Sequence, residues 1–246
     1  MSGHSKWATI KHKKGAADAK RGQMFTKLIK EISIAARMGG GDLEGNPRLR
    51  TAVLKARGAN MPKDNIDRAV KKGTGELEGV NYEELIYEAY APGGVAIFIE
   101  VLTDNKNRAA ADIRNILTRA GGQLATSGSV SRLFKRQGII VLDGEKYTED
   151  EIMEVAIDGG AEDVALSDGV IEVTTAPEDF EAVLNAINDK GFETQNAEIS
   201  MVPDVEVSLD NDAVAKVVRL IERLEENDDV QNVYSNVEIP EGFEAE

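Results

Sequence analysis

The chain has 246 residues, no cysteine and a formal net charge of −15 at pH 7. This length predicts two or three compact domains, and we expect three. The absence of cysteine excludes disulfides and thiolate metal sites, and no apolar run reaches the roughly 20 residues that cross a bilayer. We therefore expect a soluble cytoplasmic protein without a membrane partner.

Charge is distributed unevenly along the chain. Residues 1–75 contain 17 Lys and Arg and 6 Asp and Glu, a net charge of +11. Residues 76–246 contain the remaining 12 Lys and Arg and 38 Asp and Glu, a net charge of −26. A basic segment attracts polyanions, whereas an acidic one repels them. We expect residues 1–75 to bind nucleic acid and the remainder not to bind it.

Residues 1–14 show no apolar periodicity and predict an extended arm. Its candidate nucleic-acid-binding residues are His4, Lys6, Trp7, Lys11, His12, Lys13 and Lys14. The only tryptophan could stack on an unpaired base while the lysines follow phosphates, as in single-stranded or looped RNA. The alternative is that Trp7 anchors the arm to its own domain. The two histidines lack further ligands, so no metal site is expected.

Three helices are predicted after the arm. Apolar residues at helical spacing indicate helices over 16–38, 47–60 and 62–72, with Asn46 as a capping residue. Cations expected to lie off the apolar stripes complete the candidate set: Lys20, Arg21, Lys27, Lys30, Arg48 and Arg50. A solvated charged face is the alternative interpretation. A helix-turn-helix is disfavoured because Asp64 and Asp67 would face the phosphates.

Strands and helices alternate beyond the sign change in charge. A hairpin, a helix to about residue 120 and a strand leading to Leu133 and Phe134 form a ββαβ unit. Residues 138–201 show the βαββαβ order of a ferredoxin-like fold, and a later helix and strand complete the first unit. The sequence thus predicts an α+β fold, in which a three-helix domain precedes two ferredoxin-like α/β domains, one inserted in the other. The predicted boundaries are 1–75, 76–136 plus 203–246, and 137–202.

Catalytic motifs are not evident. The sequence offers no nucleophile with its base, no phosphate loop and no paired metal ligands, so we expect no enzyme and no cofactor. The acids Glu225, Glu226, Asp228 and Asp229 could hold a divalent cation, but we expect them to keep an acidic body soluble. The helix over 213–226 has one apolar stripe, which its own sheet should cover. This predicts a monomer.

Several motifs carry a family resemblance over essentially the whole chain. They include Gly3-His4-Ser5-Lys6-Trp7, Asp18-Ala19-Lys20-Arg21-Gly22, Asn46-Pro47-Arg48-Leu49-Arg50, Thr103-Asp104-Asn105 with Asn107-Arg108, and Gly160-Ala161-Glu162-Asp163-Val164. In these the chain resembles the YebC family, with Gln23 standing where that family often has a Lys or Arg. The resemblance implies a helical domain followed by two α/β domains, one inserted in the other.

The resemblance also implies a function. The family is widely described as probable DNA-binding transcriptional regulators, and its mitochondrial member resembles a translational activator for a cytochrome oxidase subunit. Bacterial members have been connected with ribosomes on proline-rich sequences. We therefore expect a nucleic-acid-binding regulator of gene expression, transcriptional by resemblance. A translation factor that binds ribosomal RNA or the ribosome is one alternative, and an adaptor that binds only proteins is the other.

Overall fold

The structure is a computed structural model that describes residues 18–167, 169–240 and 243, the side chains of residues 18–20 excepted. The described residues form the helices α1 (Asp18–Gly39), α2 (Pro47–Gly58), α3 (Lys63–Thr74), α4 (Lys106–Arg119), α5 (Glu149–Asp158), α6 (Phe180–Asp189) and α7 (Asn211–Glu225). Their strands are β1 (Glu83–Tyr90), β2 (Ala96–Thr103), β3 (Gln123–Leu124), β4 (Phe134–Asp143), β5 (Ala161–Ser167), β6 (Val170–Thr175), β7 (Thr194–Pro203) and β8 (Val230–Ser235).

Helices α1, α2 and α3 pack around one small core and are called the helical unit below. Buried Ile32, Leu49 and Ile66 come one from each helix. Asn46 joins two of the helices, because its Oδ1 accepts the backbone N–H of Leu49 at 3.1 Å and its Nδ2 donates to the carbonyl of Ala35 at 2.9 Å. The N-cap predicted at Asn46 is confirmed.

The first sheet unit contains β1, β2, β3 and β8 in the antiparallel order β3-β1-β2-β8. Helices α4 and α7 cover one face, where Ile97, Ile113 and Leu220 are buried in a common core. A second cluster, on the neighbouring strand positions, brings Phe98 and Tyr234 against Phe134 from β4. The apolar stripe of α7 is therefore used within the unit, as its sequence predicts.

The second sheet unit contains β4 to β7 in the order β5-β6-β4-β7, with α5 and α6 packed on it. The chain passes through it as βαββαβ, the ferredoxin-like order predicted from the sequence. Thr148 and Glu151 form a reciprocal capping box at the start of α5. The α+β class and the three helices before the two α/β layers are confirmed.

One strand was predicted in the wrong place. Residues 131–133 form a turn of 3₁₀-helix, and Phe134 begins β4 of the second sheet unit rather than ending a strand of the first. The third strand of the first sheet is Gln123–Leu124, which is too short for an alternating pattern to show. The second sheet unit extends from residue 134 to 203, against 137–202 predicted for an inserted domain, and the division into domains stays a prediction.

None of the described helices is both long and apolar enough to cross a membrane.

Candidate nucleic-acid interface

All seven predicted arm residues lie outside the described residues: His4, Lys6, Trp7, Lys11, His12, Lys13 and Lys14. Lys20 lies in α1, and its side chain is not among those described. The candidates whose side chains are described are Arg21, Lys27, Lys30, Arg48 and Arg50. Arg21 is exposed near the start of α1. Contacts with acidic groups or carbonyls of the protein itself are formed by Lys27, Lys30, Arg48 and Arg50.

Lys30 is buried between the helical unit and the first sheet unit. Only 8% of its side chain is exposed, and its Nζ lies 2.7 Å from Oδ1 of Asp229, whose side chain is 5% exposed. The same Nζ donates to the carbonyls of Asp228 at 2.8 Å and Leu102 at 3.3 Å. Three acceptors at these distances satisfy the three donors of the ammonium group. The prediction that Lys30 stays in solvent is wrong.

Asp229 receives a second cation from α4. Arg108 donates to Oδ2 of Asp229 from both Nη2 at 2.8 Å and Nε at 3.2 Å. Burial by itself raises the pKa of the Asp229 carboxyl, but the contacts with Lys30 and Arg108 outweigh this effect and hold that pKa below its ordinary value. The expectation that Asp229 is a solubilising surface acid is therefore wrong.

The neighbours of Lys30 on α1 meet the end of α7. Lys27 donates to the carbonyl of Glu225 at 2.6 Å, and Gln23 contacts the carbonyls of Glu225 and Glu226. The last carbonyls of a helix lack partners in the helix and carry partial negative charge. One face of α1 therefore caps α7, which explains why an uncharged Gln23 is sufficient there.

Sequence reasoning missed this contact because it followed a single apolar stripe on α1. Ile34 lies off that stripe and is only 2% exposed, and Ser33 beside it is also buried. An apolar residue one turn after Lys30 was the available indication of a second buried face. The partner Asp229 could not be identified, since it is 199 residues away.

Arg48 and Arg50, on the first turn of α2, are both held by carboxylates. Arg48 donates to both oxygens of Glu31, at 2.7 and 3.2 Å, and also contacts Glu84 of β1. These contacts raise the pKa of the guanidinium against the opposing effect of burial. Arg50 donates from Nη2 to both oxygens of Glu181, at 3.0 and 2.9 Å.

Five other cations of the helical unit are exposed and form no ion pair with another described residue: Arg57, Lys63, Arg68, Lys71 and Lys72. They lie at the end of α2 and along α3. Arg68 and Lys71 are three residues apart and therefore share the face of α3 opposite buried Ile66 and Ala69. The acids Asp64 and Asp67 reduce the net charge of α3 but leave it positive. We call these five residues the exposed cationic surface.

A cleft of about 220 Å³ lies between α1, the end of α3 and the segment before β1. Arg37 and Lys72 border it, and Arg37 donates to the carbonyl of Tyr82. Both helices present their carboxyl ends here, where the partial charge is negative. This cleft is accordingly a poor anion site. No group of three or more His, Asp or Glu suited to a metal ion occurs among the described residues.

Comparison with known proteins identifies the family. Residues 5–76 match the model of the TACO1/YebC protein N-terminal domain, and residues 82–237 match that of the TACO1/YebC second and third domain. The chain belongs to the TACO1/YebC family. The boundary between the two family models, at residues 76–82, follows α3 and precedes β1. The exposed cationic surface therefore lies in the part that matches the N-terminal domain of the family.

Similar proteins cover more than nine tenths of the chain. A protein of Treponema denticola is 67% identical over 244 residues, covering 99% of both chains, and one of Borreliella burgdorferi is 58% identical over 241 residues, covering 98% of this chain and 99% of the relative. Both are named probable transcriptional regulatory proteins. The crystal structure of a conserved hypothetical protein from Aquifex aeolicus is 48% identical and superposes with a TM-score of 0.82, covering 91% of this chain and 93% of that one. The TACO1/YebC resemblance stated from sequence motifs is confirmed.

Proposed function

We propose that this TACO1/YebC chain is a cytoplasmic, nucleic-acid-binding regulator of gene expression, and that the helical unit supplies its contact surface. The observation that carries the proposal is the exposed cationic surface, whose members face solvent and form no ion pair with another described residue. Cations that are already neutralised contribute little to phosphate binding, whereas free ones release counterions from the nucleic acid. The names of the relatives support a regulatory role.

The proposed interface differs from the set expected from sequence. Lys30 is excluded because it is buried and paired. Lys27 is engaged with the end of α7, and Arg48 with Glu31 and Glu84. The exposed cations of α2 and α3 take their place, together with the arm residues proposed from sequence. Duplex DNA is the first candidate ligand, because the relatives are named as transcriptional regulators and transcription takes place on duplex DNA.

Structured RNA, bound in the course of translation, is the second candidate ligand. The observation that favours it is the composition of residues 1–14, where Trp7 accompanies four lysines. Aromatic stacking requires unpaired bases, which loops of RNA provide and an intact duplex does not. The two ligands therefore make different demands on the same chain.

Neutralising four cations of the surface tests the proposal. We expect the variant R57Q/R68Q/K71Q/K72Q to bind a labelled 20-bp DNA duplex more weakly than the wild type. If all four contact phosphates, the slope of log K against log salt should become shallower by about 3–4, since each contact contributes roughly 0.9. Fluorescence anisotropy at several salt concentrations measures both quantities, and a labelled RNA hairpin titrated in parallel distinguishes the two ligands.

The control removes the same number of charges from the first sheet unit. The variant R114Q/R119Q/K216Q/R219Q changes exposed cations of α4 and α7 and should bind almost as the wild type does. Equal losses in the two variants would mean that only net charge matters and would contradict the proposed interface. Failure of the wild type to bind either ligand would contradict nucleic-acid binding and favour a protein-only adaptor.

A further inference from the structure

Two carboxylates of the second sheet unit contact cations of α2. We propose that these carboxylates are internal substitutes for phosphate: Glu181 binds Arg50, and Glu198 binds Lys55. Nucleic acid must displace both carboxylates before it can contact these two cations of α2. The inference concerns the regulation of the interface proposed above and rests on that function. It makes the contact between the two units an autoinhibitory one.

The contact with Arg50 has the geometry of phosphate recognition. Its Nη2 reaches both oxygens of Glu181, at 3.0 and 2.9 Å, while its Nη1 is fixed by the carbonyls of Leu43 at 2.9 Å and Glu44 at 3.2 Å. A guanidinium held in this way presents a directed donor to an anion with two acceptor oxygens, a requirement that carboxylate and phosphate both meet. Arg50 is therefore oriented for an anion by its own unit, and Glu181 supplies one from another unit.

Lys55 forms the second contact from the same helix. Its Nζ lies 3.3 Å from Oε2 of Glu198, a residue of β7. Glu181 belongs to α6, so the two carboxylates come from different elements of one unit and meet one helix of another. Both contacts would be lost together if the second sheet unit moved away from α2.

The exposure of these pairs makes them displaceable. The side chains of Arg50 and Glu181 are 33% and 47% exposed, and those of Lys55 and Glu198 are 46% and 24% exposed. An exposed ion pair changes the equilibrium between the joined and the separated units by about fivefold at most, and salt screens it. A polyanion offers many phosphates at once and can replace both carboxylates.

Displacement would extend the exposed cationic surface along α2. Arg50 and Arg57 are seven residues apart, so they lie on nearly the same side of the helix, roughly 10 Å apart along its axis. While the contact with the second sheet unit is formed, Arg50 is paired with Glu181, whereas Arg57 is exposed and forms no ion pair with another described residue. The measured dissociation constant for nucleic acid should then equal the intrinsic constant divided by the fraction of molecules in which the two contacts are open.

The test compares two variants with the same change in net charge. E181Q/E198Q removes the masking carboxylates, whereas E154Q/E178Q neutralises two exposed acids of the second sheet unit that form no ion pair with a described residue. Each full-length variant is titrated with the labelled 20-bp duplex and with the RNA hairpin. We expect E181Q/E198Q to bind the preferred ligand about two- to tenfold more tightly than E154Q/E178Q does.

A second measurement follows the contact without relying on affinity. Since the chain has no cysteine, L54C and N185C introduce one pair of spin labels, on α2 and α6, whose separation is measured by double electron–electron resonance. The distance should lengthen when nucleic acid is added to the otherwise unchanged chain. It should already be long in the E181Q/E198Q background.

The outcomes separate this inference from the proposed function. If the wild type binds but E181Q/E198Q matches E154Q/E178Q, masking is overturned and nucleic-acid binding stands. A label distance that is unchanged by bound nucleic acid also overturns masking alone. If only E181Q/E198Q binds, masking is supported. If neither the wild type nor E181Q/E198Q binds either ligand, both proposals are overturned.

Discussion

The helical unit meets the two sheet units at one junction each. Both junctions pair a cation of a helix with a carboxylate, and the two pairs differ in burial. At the first, α1 places Lys30 against Asp229, with side chains 8% and 5% exposed. At the second, α2 places Arg50 against Glu181, with side chains 33% and 47% exposed. Removing one partner of a buried pair leaves a charge without water or counterion, whereas an exposed pair exchanges readily with solvent ions. Burial therefore makes the first junction structural and leaves the second available for exchange.

The largest expected effect comes from breaking the buried junction. Asp229→Ala should lower the free energy of unfolding by about 3–5 kcal/mol, because Lys30 would remain buried without its counterion. Urea is the suitable denaturant, since it leaves ionic strength unchanged. The neighbouring Asp228→Ala removes the same charge from an exposed side chain and is the matched control.

Adding Lys30→Met to Asp229→Ala should restore part of the lost stability, because the uncompensated buried charge is then gone. A loss below about 1 kcal/mol for Asp229→Ala, or equal losses for the two aspartates, would show that the first junction is no stronger than the second.

Lowering the pH should produce an intermediate effect. The pKa of Asp229 lies below its ordinary value of 3.8, so its stabilising contribution is present above about pH 4 and is lost as the pH falls through the folded-state pKa. Asp229→Asn should consequently show a flatter dependence of stability on pH below 4 than the wild type does. Urea midpoints between pH 2.5 and 5 measure this difference.

Asp158→Asn, a change at an exposed acid of α5, should retain the steeper wild-type profile. Parallel profiles for the wild type and Asp229→Asn would contradict the role assigned to the Asp229 ion pairs.

The smallest expected effect is at the exposed junction. Glu181→Gln should lower the free energy of unfolding by at most about 1 kcal/mol at low salt, and the difference from the wild type should shrink toward zero in 1 M NaCl. Glu178→Gln, at an exposed acid that forms no ion pair with another described residue, is the control and should change less. A loss for Glu181→Gln that persists in 1 M NaCl would place this junction in the same class as the buried one.

The local structure was largely predictable because its determinants are close together in sequence. The apolar stripe from Phe25 to Ala36, the cap at Asn46 and the hairpin around residues 92–94 each depend on spacing within one or two turns. The short strand at Gln123–Leu124 escaped detection because its place depends on pairing with residues 89 and 90. A strand of two residues is too short to show an alternating pattern of apolar and polar side chains.

The candidate interface was harder to predict, because charge along the sequence does not distinguish a paired cation from a free one. Lys30 and Lys71 look alike in sequence, yet the first is buried against Asp229 and the second is exposed. The two lysines can be told apart only from the packing of α1 against the first sheet unit. The sum of charges indicated the region that carries the exposed cationic surface, whereas the individual contacts required the fold.

The buried junction also orders events during synthesis of the chain. Lys30 emerges early from the ribosome, whereas Asp229 and strand β8 follow some 200 residues later, after the whole second sheet unit. Until then β2 lacks its neighbour β8 in the first sheet, and α1 lacks the helix end that it caps. The second sheet unit, continuous between residues 134 and 203, can complete all its strand pairs first. The contact of Lys30 with Asp229 can therefore form only after almost the whole chain has been made, whereas the contacts of α2 with Glu84 and Glu181 can form earlier.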